Sequence, residues 1–228
     1  MPKSFRPLRL VAAIVTAGLL TAPRTDAVEA HLPAKGVDDA IMFARMERRE
    51  ARQAFHDRYA RTPGGVVTRI SLISEFRRVV LRTEEHIRLG NRGYSVRQMA
   101  TELEPWRGVL EVIVDLAFHP QNTYAAVPLI DVLLVPLDGP GDRMPLVADT
   151  TGRIPRFGGF FDPPPPDAPW WPFPPPSTTA IVRRETVTGG WVLAKFDAAP
   201  LATGRFDVVV KEGATSLGSA AFDFGTLR

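Results

Sequence analysis

The side chains best suited to proton transfer or metal binding in this chain are its four histidines, His31, His56, His86 and His119, and it has no cysteine. The missing thiols exclude disulfides, thiolate zinc sites and cysteine nucleophiles. His119 stands at the exit of a predicted strand, with Asp115, Tyr124 and Asp131 nearby in sequence. These residue types suit acid–base work, but nothing in the pattern supplies a nucleophile or an oxyanion hole. A histidine bonded within its own loop is the simpler expectation. Glu84-Glu85-His86 lies on a predicted helix without a second histidine at ligand spacing, so His86 is expected to pair at the surface with Arg82 or Glu85. The sequence contains no G-x-S-x-G, H-E-x-x-H, phosphate-binding loop, G-x-G-x-x-G or calcium loop.

Two sharper sites follow from residue type. If a leader is cut after Ala30, His31 becomes the terminal residue, and its amine and imidazole form a chelate that suits copper, with His56, His86 or His119 as a further ligand. The other site is the aromatic cluster Trp170, Trp171 and Phe173, set among prolines. Exposed, these rings would stack on a sugar, a Pro-rich peptide or a bilayer interface; folded back, they would cover the edge of a sheet. Tyr124, in the loop His119–Pro128, is a further candidate contact residue.

The elements that must position these residues begin with Trp106–Pro136. From Val109 to Phe118 the side chains alternate, with Leu110, Val112, Val114, Leu116 and Phe118 on one face and Val109, Glu111, Ile113, Asp115 and Ala117 on the other. That period predicts a strand with one face on a core and one partly wet. Leu129–Val135 repeats it, and the two are expected to found a β-sandwich. Strands are also predicted over 180–186, 191–196, 206–211 and 217–224, with turns at Val187–Gly190 and Glu212-Gly213. Residues 138–177, rich in Pro and Gly, read as an extended insertion in which Met144–Ala148 is a candidate short strand. The stretch Trp191–Val210, with a strand, the corner Leu201-Ala-Thr-Gly204 and another strand, is similar to the late strands of immunoglobulin-like modules. The resemblance covers about twenty residues and implies a fold class, not an activity.

Before the strands, helices are expected over about 38–59, 72–89 and 96–104. Asp38 or Asp39 would cap the first. Leu72, Phe76, Val79, Val80, Thr83 and Ile87 form a 3.6-residue stripe on the second, although β-branched residues over Val66–Leu72 favour a strand leading into it. Gly90-Asn91 supplies its stop, Glu84 is placed to reach Arg88, and Ser95-Val-Arg-Gln98 has the form of a capping box opening the third helix.

Lys3, Arg6 and Arg9 precede the apolar run Leu10–Leu20. Small residues follow, and Val28-Glu29-Ala30 fits a cleavage signal, with Thr25-Asp26-Ala27 as the alternative, under which His31 would not be terminal. A run of 11 residues is too short to span a bilayer and fits a signal-peptide core, so residues 1–30 are read as a signal peptide. Its removal takes the formal charge from +3 to +1, which argues against a nucleic-acid partner. Residues 31–108 carry 15 Lys/Arg against 10 Asp/Glu, and 109–228 carry 9 against 13. The expected protein is α+β: a helical region at 31–105, then an immunoglobulin-like antiparallel β-sandwich at 106–228 with a Pro-rich insertion. The expected function is that of an exported, non-enzymatic module, periplasmic or secreted, meeting a protein or glycan of the bacterial envelope. The contacts would run through the Pro/Trp-rich loop and the Arg-rich helical face (Arg45, Arg48, Arg49, Arg52). No cofactor is expected. The alternative is a metal-dependent or hydrolytic enzyme built on His119 or His31.

Overall fold

Alternating side chains and helical stripes resolve into a mixed α+β architecture in a computed structural model, which describes residues 31–91, 93–138, 144–157, 186–201 and 204–227. Among these residues there are four α-helices, α1 (Ala34–Ala44), α2 (Arg49–Arg58), α3 (Glu75–Arg88) and α4 (Val96–Leu103). The strands are β1 (Ala60–Arg61), β2 (Val67–Ile73), β3 (Val109–Ala117), β4 (Asp131–Pro136), β5 (Leu146–Val147), β6 (Thr150–Phe157), β7 (Val187–Asp197), β8 (Arg205–Glu212) and β9 (Thr215–Asp223). They form two antiparallel sheets, of order β1-β2-β3-β7-β6 and β5-β4-β8-β9, in a sandwich-like arrangement.

The alternation in β3 places Leu110, Val112, Val114 and Leu116 in the shared core. Val132 and Leu134 of β4, Val192, Ala194 and Phe196 of β7, and Phe206, Val208 and Val210 of β8 join them there. The same core takes in Val37, Ala40 and Ile41 of α1 and Phe76, Val79 and Val80 of α3, so helices and sheets share one interior. Burial of this contiguous apolar surface is the main stabilising term.

Several expectations are corrected. The strands expected to found the sandwich together do not pair: β3 lies between β2 and β7, and β4 lies between β5 and β8 in the other sheet. The long loop at His119–Pro128 therefore carries the chain between sheets. The single helix expected over 38–59 is broken at Arg45–Arg48, and α1 starts after Pro33 rather than at an Asp38 or Asp39 cap. Its apolar residues form no one stripe, and the break lets Ile41 and Ala44 bury on one segment and Phe55 on the next. Arg52 Nη1 donates to the freed Ala44 carbonyl at 3.3 Å. Over 72–89 the chain stays extended through Ile73, as the β-branched cluster favours, and helix begins at Glu75. Ser74 Oγ caps it, accepting the Arg77 N–H at 3.2 Å.

The predicted turn at Val187–Gly190 belongs to β7, and β6 occupies part of the stretch read as irregular. Pro155 is tolerated there because β6 is an edge strand. Residues 180–185 of the strand expected over 180–186 lie outside the described residues, as do the Pro-rich stretches at 158–177.

Candidate functional site

The register of the five-stranded sheet specifies its outer face row by row. Antiparallel partners share a face, so Thr150 (β6), Lys195 (β7), Glu111 (β3) and Ile73 (β2) form one row. The next is Gly152, Leu193, Ile113 and Ser71, and the third is Ile154, Trp191, Asp115 and Arg69. Along the strands the face thus runs from charged, through apolar, to a row where Trp191 is buried beside a second set of charges. α3 follows β2 directly and sets Leu81 against Ile73, Ile113 and Trp191 in a small cluster apart from the main core.

Between α3 and edge strand β6 lies a groove of about 530 Å³. Leu193, Ile154 and Ile73 line its apolar floor, Arg78, Leu81 and Arg82 its helical wall, and Trp106 and Lys195 its charged end. Gly152 in β6 leaves the space over Leu193 open, since a Cβ there would make only ordinary contacts with Leu193, its side chain at 3.8 Å and its carbonyl at 4.0 Å.

The charges at this end are fixed by one another. Arg78 Nη2 donates to Glu111 Oε2 at 2.7 Å, and both side chains are largely buried. Burial pulls the Arg78 pKa below its ordinary value while the Glu111 carboxylate acts the other way; an arginine in this position remains charged. The Arg78 guanidinium lies 3.7 Å and the Lys195 ammonium 4.2 Å from the centre of the Trp106 ring. Such contacts hold a cation without neutralising it. Arg82 pairs with Glu85 at 2.8 Å. Three basic side chains (Arg78, Arg82 and Lys195) face the groove, Arg78 held by Glu111 and Arg82 by Glu85. Arg153, whose register partner Val192 lies on the core face, donates instead to the Val127 carbonyl at 3.2 Å.

The third row closes the face with a strut. Arg156 of β6 reaches across β7 to Asp115 Oδ1 at 3.2 Å and to the Leu116 carbonyl at 2.9 Å. It crosses at Gly189, where a Cβ would collide with the Leu116 carbonyl and lie 2.6 Å from the guanidinium. The missing side chain is therefore what admits the arginine. Burial raises the Asp115 pKa, and Arg156 opposes the rise.

The residues singled out from sequence lie elsewhere. His119 Nδ1 accepts the Gln121 N–H at 3.2 Å within its own loop, and Asp115 is engaged by Arg156. Tyr124 is partly exposed and packs on Phe118, with ring centres 4.9 Å apart. His31 is 74% exposed, 3.8 Å from Glu75, whose buried carboxylate accepts the backbone N–H groups of Leu32 and Gly108. His56 meets Glu84 at 3.1 Å, joined there by Arg52, so Glu84 is engaged with α2. His86 stacks on Tyr94 at 3.7 Å and neighbours Glu102, not the Arg82 or Glu85 expected for it. Among the described residues no three His, Asp or Glu side chains are grouped as a metal ion would need. Of the Arg-rich helical face, Arg48 and Arg49 are exposed, while Arg45 donates to the Tyr94 carbonyl. Trp170, Trp171 and Phe173 lie outside the described residues.

Sequence reasoning missed Trp106, Arg78 and Lys195 as a group. The one signal in the sequence is a lysine within the apolar run Trp191–Phe196; its pairing with Glu111 is seen only in the register.

No protein-family model matches the chain, no curated protein is detectably similar to it in sequence, and no solved structure is detectably similar to its fold.

Proposed function

We propose that the protein is an exported, non-enzymatic binding module of the bacterial envelope or extracellular space, and that the groove between α3 and β6 is its contact surface. The observation that carries the reading is the Lys195 ammonium, held over the Trp106 ring at the mouth of an apolar groove and sharing that ring with Arg78. A pocket of this size with an apolar floor and a few convergent polar groups has the build of a ligand site. With Arg78 matched by Glu111 and Arg82 by Glu85, the Lys195 ammonium is the charge that selects an anionic group on the partner, whether that partner is a protein, a glycan or a small molecule.

Export is supported by the basic-flanked apolar run before Ala30; among the described residues no helix is long and apolar enough to cross a membrane. The immunoglobulin-like reading draws support from the passage of the chain from β7 in one sheet to β8 in the other, with Leu201 buried after β7. The cluster Trp170, Trp171 and Phe173 and the exposed Arg48 and Arg49 stand in the same proposal as further contact surfaces, tested by deleting 163–176 and by Arg48→Glu/Arg49→Glu.

The groove is tested by native mass spectrometry of the full mature chain after incubation with envelope extract. Wild type is expected to retain an anionic adduct that the double variant Arg82→Glu/Lys195→Glu loses. Identical adducts on both proteins, or none on either, would overturn the assignment of the groove.

A further inference from the structure

The groove is polarised along its length, and that polarity specifies more than an anion. Lys195 and Thr150 belong to the first row of the sheet face, next to Trp106 and Arg78. Leu193 and Gly152 belong to the second row and Ile154 to the third, with Leu81 opposite on α3. A ligand that fills the groove therefore meets positive charge at one end and aliphatic surface over the rest. An inorganic anion would leave the apolar floor wet, and an uncharged chain would leave the Lys195 charge unmatched. Gly152 matters here for what it lacks: any larger side chain at this point of the edge strand would stand over Leu193 and occupy the apolar half.

We propose that the groove binds a small anionic amphiphile, a single acidic head on an aliphatic chain. The head sits beside Lys195 and Arg82, and the chain lies between Leu81, Leu193 and Ile154. This rests on the groove being the binding surface and adds the class of ligand. Charge complementarity fixes the head. The span of two further strand rows, about 7 Å per two residues along a strand, sets a chain of medium length rather than a two-carbon acid.

The test is isothermal titration calorimetry on the full mature chain at neutral pH with decanoate, kept below micelle formation, against 1-decanol and acetate. Decanoate is expected to bind with one-to-one stoichiometry and at least about tenfold more tightly than either half-ligand. Lys195→Met keeps an unbranched side chain beside Trp106 but removes the charge, and is expected to weaken decanoate about tenfold. Gly152→Phe fills the apolar half and is expected to weaken decanoate at least about tenfold while leaving acetate unchanged. The two variants perturb different elements, so either one tests the proposal if the other unfolds. Acetate binding as tightly as decanoate, lost in Lys195→Met and kept in Gly152→Phe, would overturn the amphiphile and leave the groove as an anion site. Decanoate binding that neither variant changes would place it elsewhere and overturn the proposal. Failure of all three ligands to bind would overturn the amphiphile and, with a negative adduct experiment, the groove as well.

Discussion

At the scale of single residues, the Arg78–Glu111 pair anchors the charged end of the groove. Both partners are largely buried, so removing one strands the other without its counter-charge. Glu111→Ala is expected to destabilise the fold by about 3–5 kcal/mol in urea unfolding, and Glu111→Gln, which keeps an acceptor, by less. A loss below about 1 kcal/mol would show that the pair is not what holds Arg78 in place. Asp115 supplies a pH dependence whose sign follows from its burial. Its folded-state pKa is raised by burial, so the folded protein holds this proton more tightly than the unfolded chain does. The residue's contribution to stability therefore falls as pH rises from the ordinary Asp range through the raised value. The stability of wild type relative to Asp115→Asn is expected to fall across that window and to level off above it, as followed by urea midpoints. A difference that rises with pH would contradict the burial account. The two faces of β3 were legible because strict alternation needs only local sequence. The convergence of Arg78, Trp106 and Lys195 was not, because three distant segments meet there only through strand register.

At the scale of elements, local chemistry was legible wherever it is self-contained. Ser95 accepts the Gln98 N–H at 3.3 Å while Gln98 Oε1 accepts the Ser95 N–H at 2.9 Å, the reciprocal box read from Ser-x-x-Gln. Gly90, at φ 81°, and Asn91 close α3 by donating to the carbonyls of Ile87 and His86, the pattern of a Schellman stop. Gly213, at φ 57°, opens the tight turn between β8 and β9. Ser95→Ala is expected to cost about 1 kcal/mol, detectable as a shift in urea midpoint, and an unchanged midpoint would mean that α4 is held by Met99 and Leu103 alone. What the pattern could not show was where tertiary contact overrides it. The α1–α2 break follows from two burial directions that a helical wheel merges. Gly189-Gly190 reads as a turn until the Arg156 side chain is seen crossing it, and Pro155 reads as a breaker until β6 is seen to be an edge.

At the scale of the molecule, the helical region and the strands are interleaved. β2, from within residues 31–105, sits in the sheet between β1 and β3, and its Ile70 and Leu72 are fully buried. A fragment of residues 106–228 would expose the flank of β3 and the apolar surface beneath β2. It is expected to aggregate or to lack cooperative unfolding, whereas the chain from His31 onward unfolds in one transition. A fragment with native near-UV circular dichroism and a sharp transition would show that the strands after Trp106 form an independent domain. The same interleaving builds the groove, since its wall comes from α3 and its floor from β2, β6 and β7. The most direct test of that groove as the working surface is a two-dimensional NMR titration of the chain from His31 onward with decanoate. The account predicts that the amides of Gly152, Leu193 and Lys195 and the Trp106 indole shift together in one saturating process, while β8 and β9 stay still. Shifts confined to β8, β9 or the His119 loop, or no saturable shift at all, would contradict it.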